Sequence, residues 1–176
     1  INPGGEVVLL EPLYDTYVPV VRLLGAVPKL VRLTPPNWEL PRAELAARLL
    51  ELSGFEGGRV FFTLGGADAN EHAVKIVRQA FGKPKGVVVA RDRSYHGSTH
   101  LAMALSGDTR TRAMVDPDAM GVTHVEPPYA YRCPFGSRNP AECGELAAAA
   151  IGQRIDLFGA DRVAAVIVEP NAGSNG

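Results

Sequence analysis

Charge of one sign is what this sequence most plainly lacks: 18 lysines and arginines face 19 aspartates and glutamates, for a net charge of −1. That balance gives neither the basic face a nucleic acid requires nor a polybasic patch for an anionic membrane. No apolar run approaches the ~20 residues needed to cross a bilayer. The start, "INPGGEVVLL", has no methionine and no signal-peptide order of charge, apolar stretch and cleavage site, so it reads as the middle of a protein. Cysteine is scarce too. Cys133 and Cys143 are the only two, and they fit neither a disulfide framework nor a zinc pattern, so a reducing cytoplasm is the expected compartment. His96 and His100 stand four apart with no glutamate between them, and no metal ligand is assigned.

What is present is ordinary for a globular protein. Apolar residues make up 46% of 176, enough for one α/β domain with a core or a large part of a bigger one. Short β-branched runs alternate with helical patterns, which predicts βαβ units and a mainly parallel open sheet flanked by helices. The predicted strands are Glu6–Glu11, Pro28–Leu33, Arg59–Leu64, Gly86–Arg91, Val122–Glu126 and Val163–Glu169. The predicted helices cover Asp15–Leu24, Arg42–Leu52, Asp68–Phe81, a stretch after Gly97, and Gly144–Phe158. "TPPNWELP" is a proline-rich loop in which Trp38 is expected to anchor packing. The segment from Glu126 to Gly144 has four prolines and three aromatics, and reads as a long, ordered loop. Asp108, Arg110 and Arg112 read as a solvated mixed-charge loop.

One stretch points to chemistry. In "VFFTLGGADANEHAVK" an apolar run enters Gly65-Gly66-Ala67 and continues as a helix. A helix N-terminus offers up to four unpaired N–H groups and the positive end of the helix dipole, and small residues let an anion reach them. A phosphate is one reading. The other is that Asp68 and Glu71, three apart, form a capping box and the helix caps itself. The turn is neither a P-loop nor a GxGxxG fingerprint. Lys75, one helical turn after Glu71, reads as its surface ion-pair partner.

The stretch "VFFTLGGADANEHAVKIVRQAFGKPKGVVVARDRSYHGSTHLAMALSGD" resembles the class-III, or omega, branch of the fold-type-I aminotransferases, and "PPYAYRCPFG" and "VAAVIVEPNAGSNG" continue the likeness. It covers about 42–176. The resemblance implies a partial large domain binding pyridoxal 5′-phosphate (PLP), with the phosphate on the backbone of Gly66 and Ala67. Tyr95 would lie on the face of the cofactor ring, with His96 and Gly97 shaping the wall beside it. The cofactor-binding candidates are therefore Gly65, Gly66, Ala67, Tyr95 and His96. Gly65 stands where the family usually has serine, so one hydroxyl donor to the phosphate is missing. Ser174 stands where some members carry a glutamate, which tilts the substrate toward taurine, β-alanine or simple amines with pyruvate or 2-oxoglutarate as acceptor. A homodimer is expected of the complete protein. Glu169 would be a support residue.

The family's chemistry also needs a lysine that forms a Schiff base with PLP and an aspartate at the ring nitrogen. Both are expected beyond Gly176, and none of Lys29, Lys75, Lys83 and Lys85 matches the lysine's position. No catalytic residue is assigned within the chain. Its beginning resembles another branch: 1–41, with "GGEVVLLEPLYDTY", is similar to the class-I aminotransferases of the kynurenine and methionine type, in which Tyr14 would cover the ring. The join is expected near Pro41–Leu45. Three readings stand: part of an omega-type aminotransferase, a PLP-binding chain that catalyses nothing, or a truncated hybrid that does not fold alone.

Overall fold

The computed structural model describes residues 3–81 and 86–173 as two compact units, one up to Phe62 and one from Thr63. Lys83, Lys85 and Ser174 lie outside the described residues. In the first unit, β1 (Glu6–Glu11), α1 (Tyr17–Leu23) and β2 (Val27–Arg32) form a parallel βαβ unit, registered from Glu6 opposite Val27 to Glu11 opposite Arg32. Val21, Ala26 and Val31 are its buried side chains, with Leu45 of α2 (Arg42–Ser53). Glu6 binds Lys29 at 2.8 Å and also Arg48, which reaches back to Glu51 on its own helix.

The second unit is built on a three-stranded parallel sheet, β4 (Val122–Val125), β3 (Val87–Arg91) and β5 (Val163–Val166), in the order β4-β3-β5. The central strand β3 is apolar and buried from Val87 to Ala90, as a strand covered on both faces must be. Val88 and Ala90 join Val74 of α3 (Gly66–Ala80) and Ala104 and Leu105 of α4 (His100–Leu105) in one core cluster. Side chains alternate along a strand, so Val87 and Val89 face the other side, where α6 (Pro140–Phe158) packs with Cys143 and Ala147 buried. No helix among the described residues is long and apolar enough to cross a membrane.

The parallel sheet and its flanking helices agree with the sequence reading; several details do not. Arg59–Leu64 belongs to neither sheet, and Leu64 is fully exposed. Its residues suit a strand, but strand propensity forms no ladder without a sheet edge alongside. The helix expected from Gly144 begins at Pro140, because Asn139 accepts hydrogen bonds from the N–H groups of Ala141 and Glu142 and proline fits the first helical position. Asp108 is not solvated: its side chain is 10% exposed and caps α5 (Thr109–Arg112) while pairing with Arg110. Arg112 pairs with Asp92. Trp38 is half exposed and anchors little.

The two cysteines correct the sequence reading most sharply. Cys133 and Cys143 form a disulfide with their Cα atoms 6.0 Å apart. A 3-10 turn at Ala130–Arg132 and the early start of α6 fold the intervening loop back on itself, and a ten-residue spacing does not show that.

Candidate functional site

The site grows from the first turn of α3. Gly65 is its N-cap, in extended conformation (φ −176°, ψ 173°), and no side chain caps the helix. The capping box does not form. Asp68 instead accepts from the N–H of Leu64 at 3.3 Å. Glu71 faces away from its own N-terminus: its Oε1 accepts from the Thr99 hydroxyl at 2.6 Å and from the Leu101 N–H at 3.1 Å, which caps α4. Its expected partner Lys75 makes no ion pair among the described residues. The opening N–H groups of α3 are thus left for something outside the helix. The space before Gly65 and Gly66 is open: a Cβ on either would meet nothing within 4 Å.

The second component is the loop from β3 to α4, carrying Tyr95, His96 and Gly97, and three contacts tie it to α3. The Asn70 amide donates to the His96 carbonyl at 2.7 Å. Glu71 holds Thr99 and Leu101. Gly97, at φ +133°, packs so closely that a Cβ on it would lie 2.4 Å from the Cβ of Ala67. The structure therefore ties the helix that Gly65, Gly66 and Ala67 open to the loop that carries Tyr95 and His96, with the direct contact at Ala67 and Gly97. Tyr14 lies in the first unit, largely exposed beside Tyr17.

Each side of the loop is pinned. The Tyr95 N–H donates to Glu169 Oε1 at 3.2 Å, and the Tyr95 hydroxyl pairs with that of Ser98 at 3.0 Å, leaving the ring about half exposed. Ser94 is buried, and its hydroxyl donates to the Arg91 carbonyl. The Ser106 hydroxyl accepts from the His96 N–H. Gly107 closes the loop from below. Its N–H donates to the Ser94 carbonyl, and a Cβ there would sit 2.3 Å from backbone atoms of Arg91 and Arg93.

His96 is buried, and its Nε2 has no hydrogen-bond partner among the described residues. Burial pushes its pKa down; Glu169 opposes the shift and His124 adds to it. His124 is lowered too, first by burial and then by Arg112, against Asp92 and the backbone carbonyls of Leu105 and Ser106. Both rings are held neutral when folded. The unfolded chain takes up their protons first, from about pH 6.5 downward, so the folded state loses stability as pH falls through that window. We expect the urea midpoint to drop between pH 7.5 and 5.5, less steeply in His124→Gln; equal midpoints across that range would contradict this.

Sequence reasoning missed Asn70, and it gave Glu71 to the wrong helix. Both stand in "ADANEH" on one face of α3, but nothing local says that their partners are 26 to 30 residues away. Gly107, whose close approach to the backbone of Arg91 and Arg93 shapes the loop, was missed as well.

Comparison with known proteins fixes the family. Residues 33–176 match the family described as Aminotransferase class-III. A probable aminotransferase of Mycobacterium tuberculosis, Rv3329, is 40% identical over 139 residues, which is 76% of this chain and 30% of that protein. The putrescine–pyruvate aminotransferase of Pseudomonas aeruginosa is 34% identical over 77% of this chain and 30% of its own length. Among solved structures, an amine transaminase from an uncultivated Pseudomonas species in its PLP-bound form superposes with a TM-score of 0.68 at 30% identity, covering 81% of this chain and 34% of that one. An omega-aminotransferase from Paracoccus denitrificans gives a TM-score of 0.67 at 29% identity, covering 77% and 31%. The chain spans about 30% of the length of the curated relatives it matches. An uncapped glycine turn joined to a tyrosine-bearing loop, together with a match over 33–176, shows that the chain belongs to the class-III aminotransferase family.

Proposed function

We propose that this chain is part of the PLP-binding domain of an omega-type aminotransferase. The observation that carries the reading is the uncapped N-terminus of α3, locked through Ala67 and Gly97 to the loop that presents Tyr95. The residues fit the cofactor: the opening N–H groups have no side-chain cap, the space before Gly65 and Gly66 is clear, and an aromatic face stands half exposed on the tethered loop. When bound, PLP supplies an electron-accepting pyridine ring to the amino group being moved.

The chain's own residues would hold and shield it. The N–H groups of Gly66 and Ala67 would donate to phosphate oxygens, beside Asp68, whose carboxylate accepts from the Leu64 N–H. Tyr95, fixed by Glu169 and Ser98, would cover one face of the ring with only two side-chain torsions to immobilise. His96 stays neutral and adds no charge beside it. No lysine here is read as the one that holds the cofactor covalently: Lys29 is paired with Glu6 in the first unit, and Lys75 sits mid-helix on α3. We read the chain alone as inactive, and the whole protein as a homodimer passing an amino group from an amine or omega-amino acid to pyruvate or 2-oxoglutarate. Residues 1–41 are read as a class-I-type strand, aromatic and helix, a reading with which the parallel β1–α1–β2 pairing agrees.

A titration of the purified chain with PLP, followed by absorbance and Tyr fluorescence, tests the cofactor reading. Saturable binding is expected, weakened by Tyr95→Ala. Gly65→Ser is expected to tighten it about tenfold, since a hydrogen bond to a charged group contributes roughly 1.5–3 kcal/mol and part of that is spent on the helix itself. Equal affinities for Gly65→Ser and the parent chain would remove the phosphate from this turn.

A further inference from the structure

Beyond the phosphate turn, a second polar space opens at the carboxyl end of the sheet. It is a cleft of about 350 Å³ between Arg91–Ser94 at the end of β3, Pro127–Tyr129 after β4, and Glu169–Ala172 after β5. Ligands of open α/β sheets gather at the carboxyl ends of parallel strands. The cleft is small, at the lower limit for sites that take small molecules.

Its charges do not cancel internally. Asp92 is committed to Arg112, while Glu169 accepts from the neutral Tyr95 N–H and keeps its charge, so two arginines face one carboxylate that makes no ion pair among the described residues. Arg91 and Arg93 make no ion pair among the described residues. Arg93 is held at φ +61° with its guanidinium 5.2 Å from the centre of the Tyr129 ring. The Nε–H of Arg91 is buried and has no acceptor among the described residues. A buried donor without a partner is rare in folded proteins and calls for an acceptor. Guanidinium donors in a fixed fork match the two oxygens of a carboxylate.

We propose that this cleft binds the carboxylate of a small oxo acid, with Arg91 as its direct partner and Arg93, against Tyr129, as the second cation. Two cations against the one remaining carboxylate, Glu169, leave the cleft net positive, which favours an acceptor that carries negative charge without positive. The choice of an oxo acid rests on the aminotransferase reading; the anion site itself rests on the cleft. Glu169 links the two places, because it lines this cleft and also holds the loop of Tyr95.

The test uses the unmutated chain first. Phenylglyoxal modifies accessible guanidinium groups, and peptide mass spectrometry follows Arg91 and the exposed Arg138 separately. Pyruvate and 2-oxoglutarate are each expected to slow modification of Arg91 at least fivefold and leave Arg138 unchanged. Methyl pyruvate, which has no carboxylate, is expected to slow neither. Arg91→Gln, checked for folding by circular dichroism, is expected to bind pyruvate at least tenfold more weakly, with Arg91→Lys between. No protection of Arg91, or equal protection by the ester, overturns the proposal, as does undiminished pyruvate binding by a folded Arg91→Gln. A parallel PLP titration separates the two ideas. Protection without PLP binding removes the phosphate-turn reading for this chain and keeps the cleft; PLP binding without protection removes the cleft and keeps that reading.

Discussion

Gly107→Ala is expected to destabilise the second unit more than a single methyl at Gly65 or Gly97 does. The new methyl group would sit 2.3 Å from the Arg91 carbonyl oxygen and the Arg93 nitrogen, and 2.4 Å from the Asp92 carbonyl carbon. These are backbone atoms, so no side chain can swing aside. The same backbone is bound in both directions, Arg93 N–H to the Gly107 carbonyl and Gly107 N–H to the Ser94 carbonyl. Opening the gap would break both bonds and shift the end of β3, the central strand of the unit's sheet. Overpacking with a flexible neighbour costs about 1–3 kcal/mol, and a rigid one should cost about 3 kcal/mol or more. Urea unfolding followed by circular dichroism measures this. A Gly107→Ala chain within about 0.5 kcal/mol of the parent would mean that the close approach is not required.

Gly97→Ala is expected to cost about 2–4 kcal/mol of stability and most of the PLP affinity. Two effects add. The methyl would overlap the Cβ of Ala67, 2.4 Å away, and the backbone sits at φ +133°, where only glycine is comfortable. They can be separated. Ala67→Gly removes the closest contact but leaves the Ala67 Cα at 2.8 Å, the Ala102 Cβ at 3.0 Å and the backbone strain, so the double variant should recover only about 1 kcal/mol. Gly65→Ala is the contrast, because its extended backbone and open surroundings admit a methyl. Equal losses from Gly65→Ala and Gly97→Ala in a PLP titration would show that the loop contact does not shape the site.

Much of the fold was legible because it is written in local patterns. Val87-Val88-Val89 reads as a fully covered strand and is one, and β1 starts and ends where its residues predict. The glycine turn and Tyr95 were legible through the resemblance. What joins them was not. The Asn70–His96 and Glu71–Leu101 bonds span 26 and 30 residues, and spacing within one helix offered a plausible wrong answer for Glu71, a capping box. The disulfide failed to show for a similar reason, since pairing depends on how a proline-rich loop folds back. The start of α6 was legible after all: Asn139-Pro140 is a helix-start signal, overlooked because the prolines before it read as one long loop.

Glu71 is anchored in one helix and completes the end of another. Neither end can then fray alone. Loosening the second turn of α3, which carries Glu71, withdraws the acceptor from α4, and unwinding α4 frees the Ser106 hydroxyl that holds the His96 N–H. The two helices thus open as a single cooperative unit, and an anion seated on the glycine turn would slow amide exchange at Leu101 without touching it.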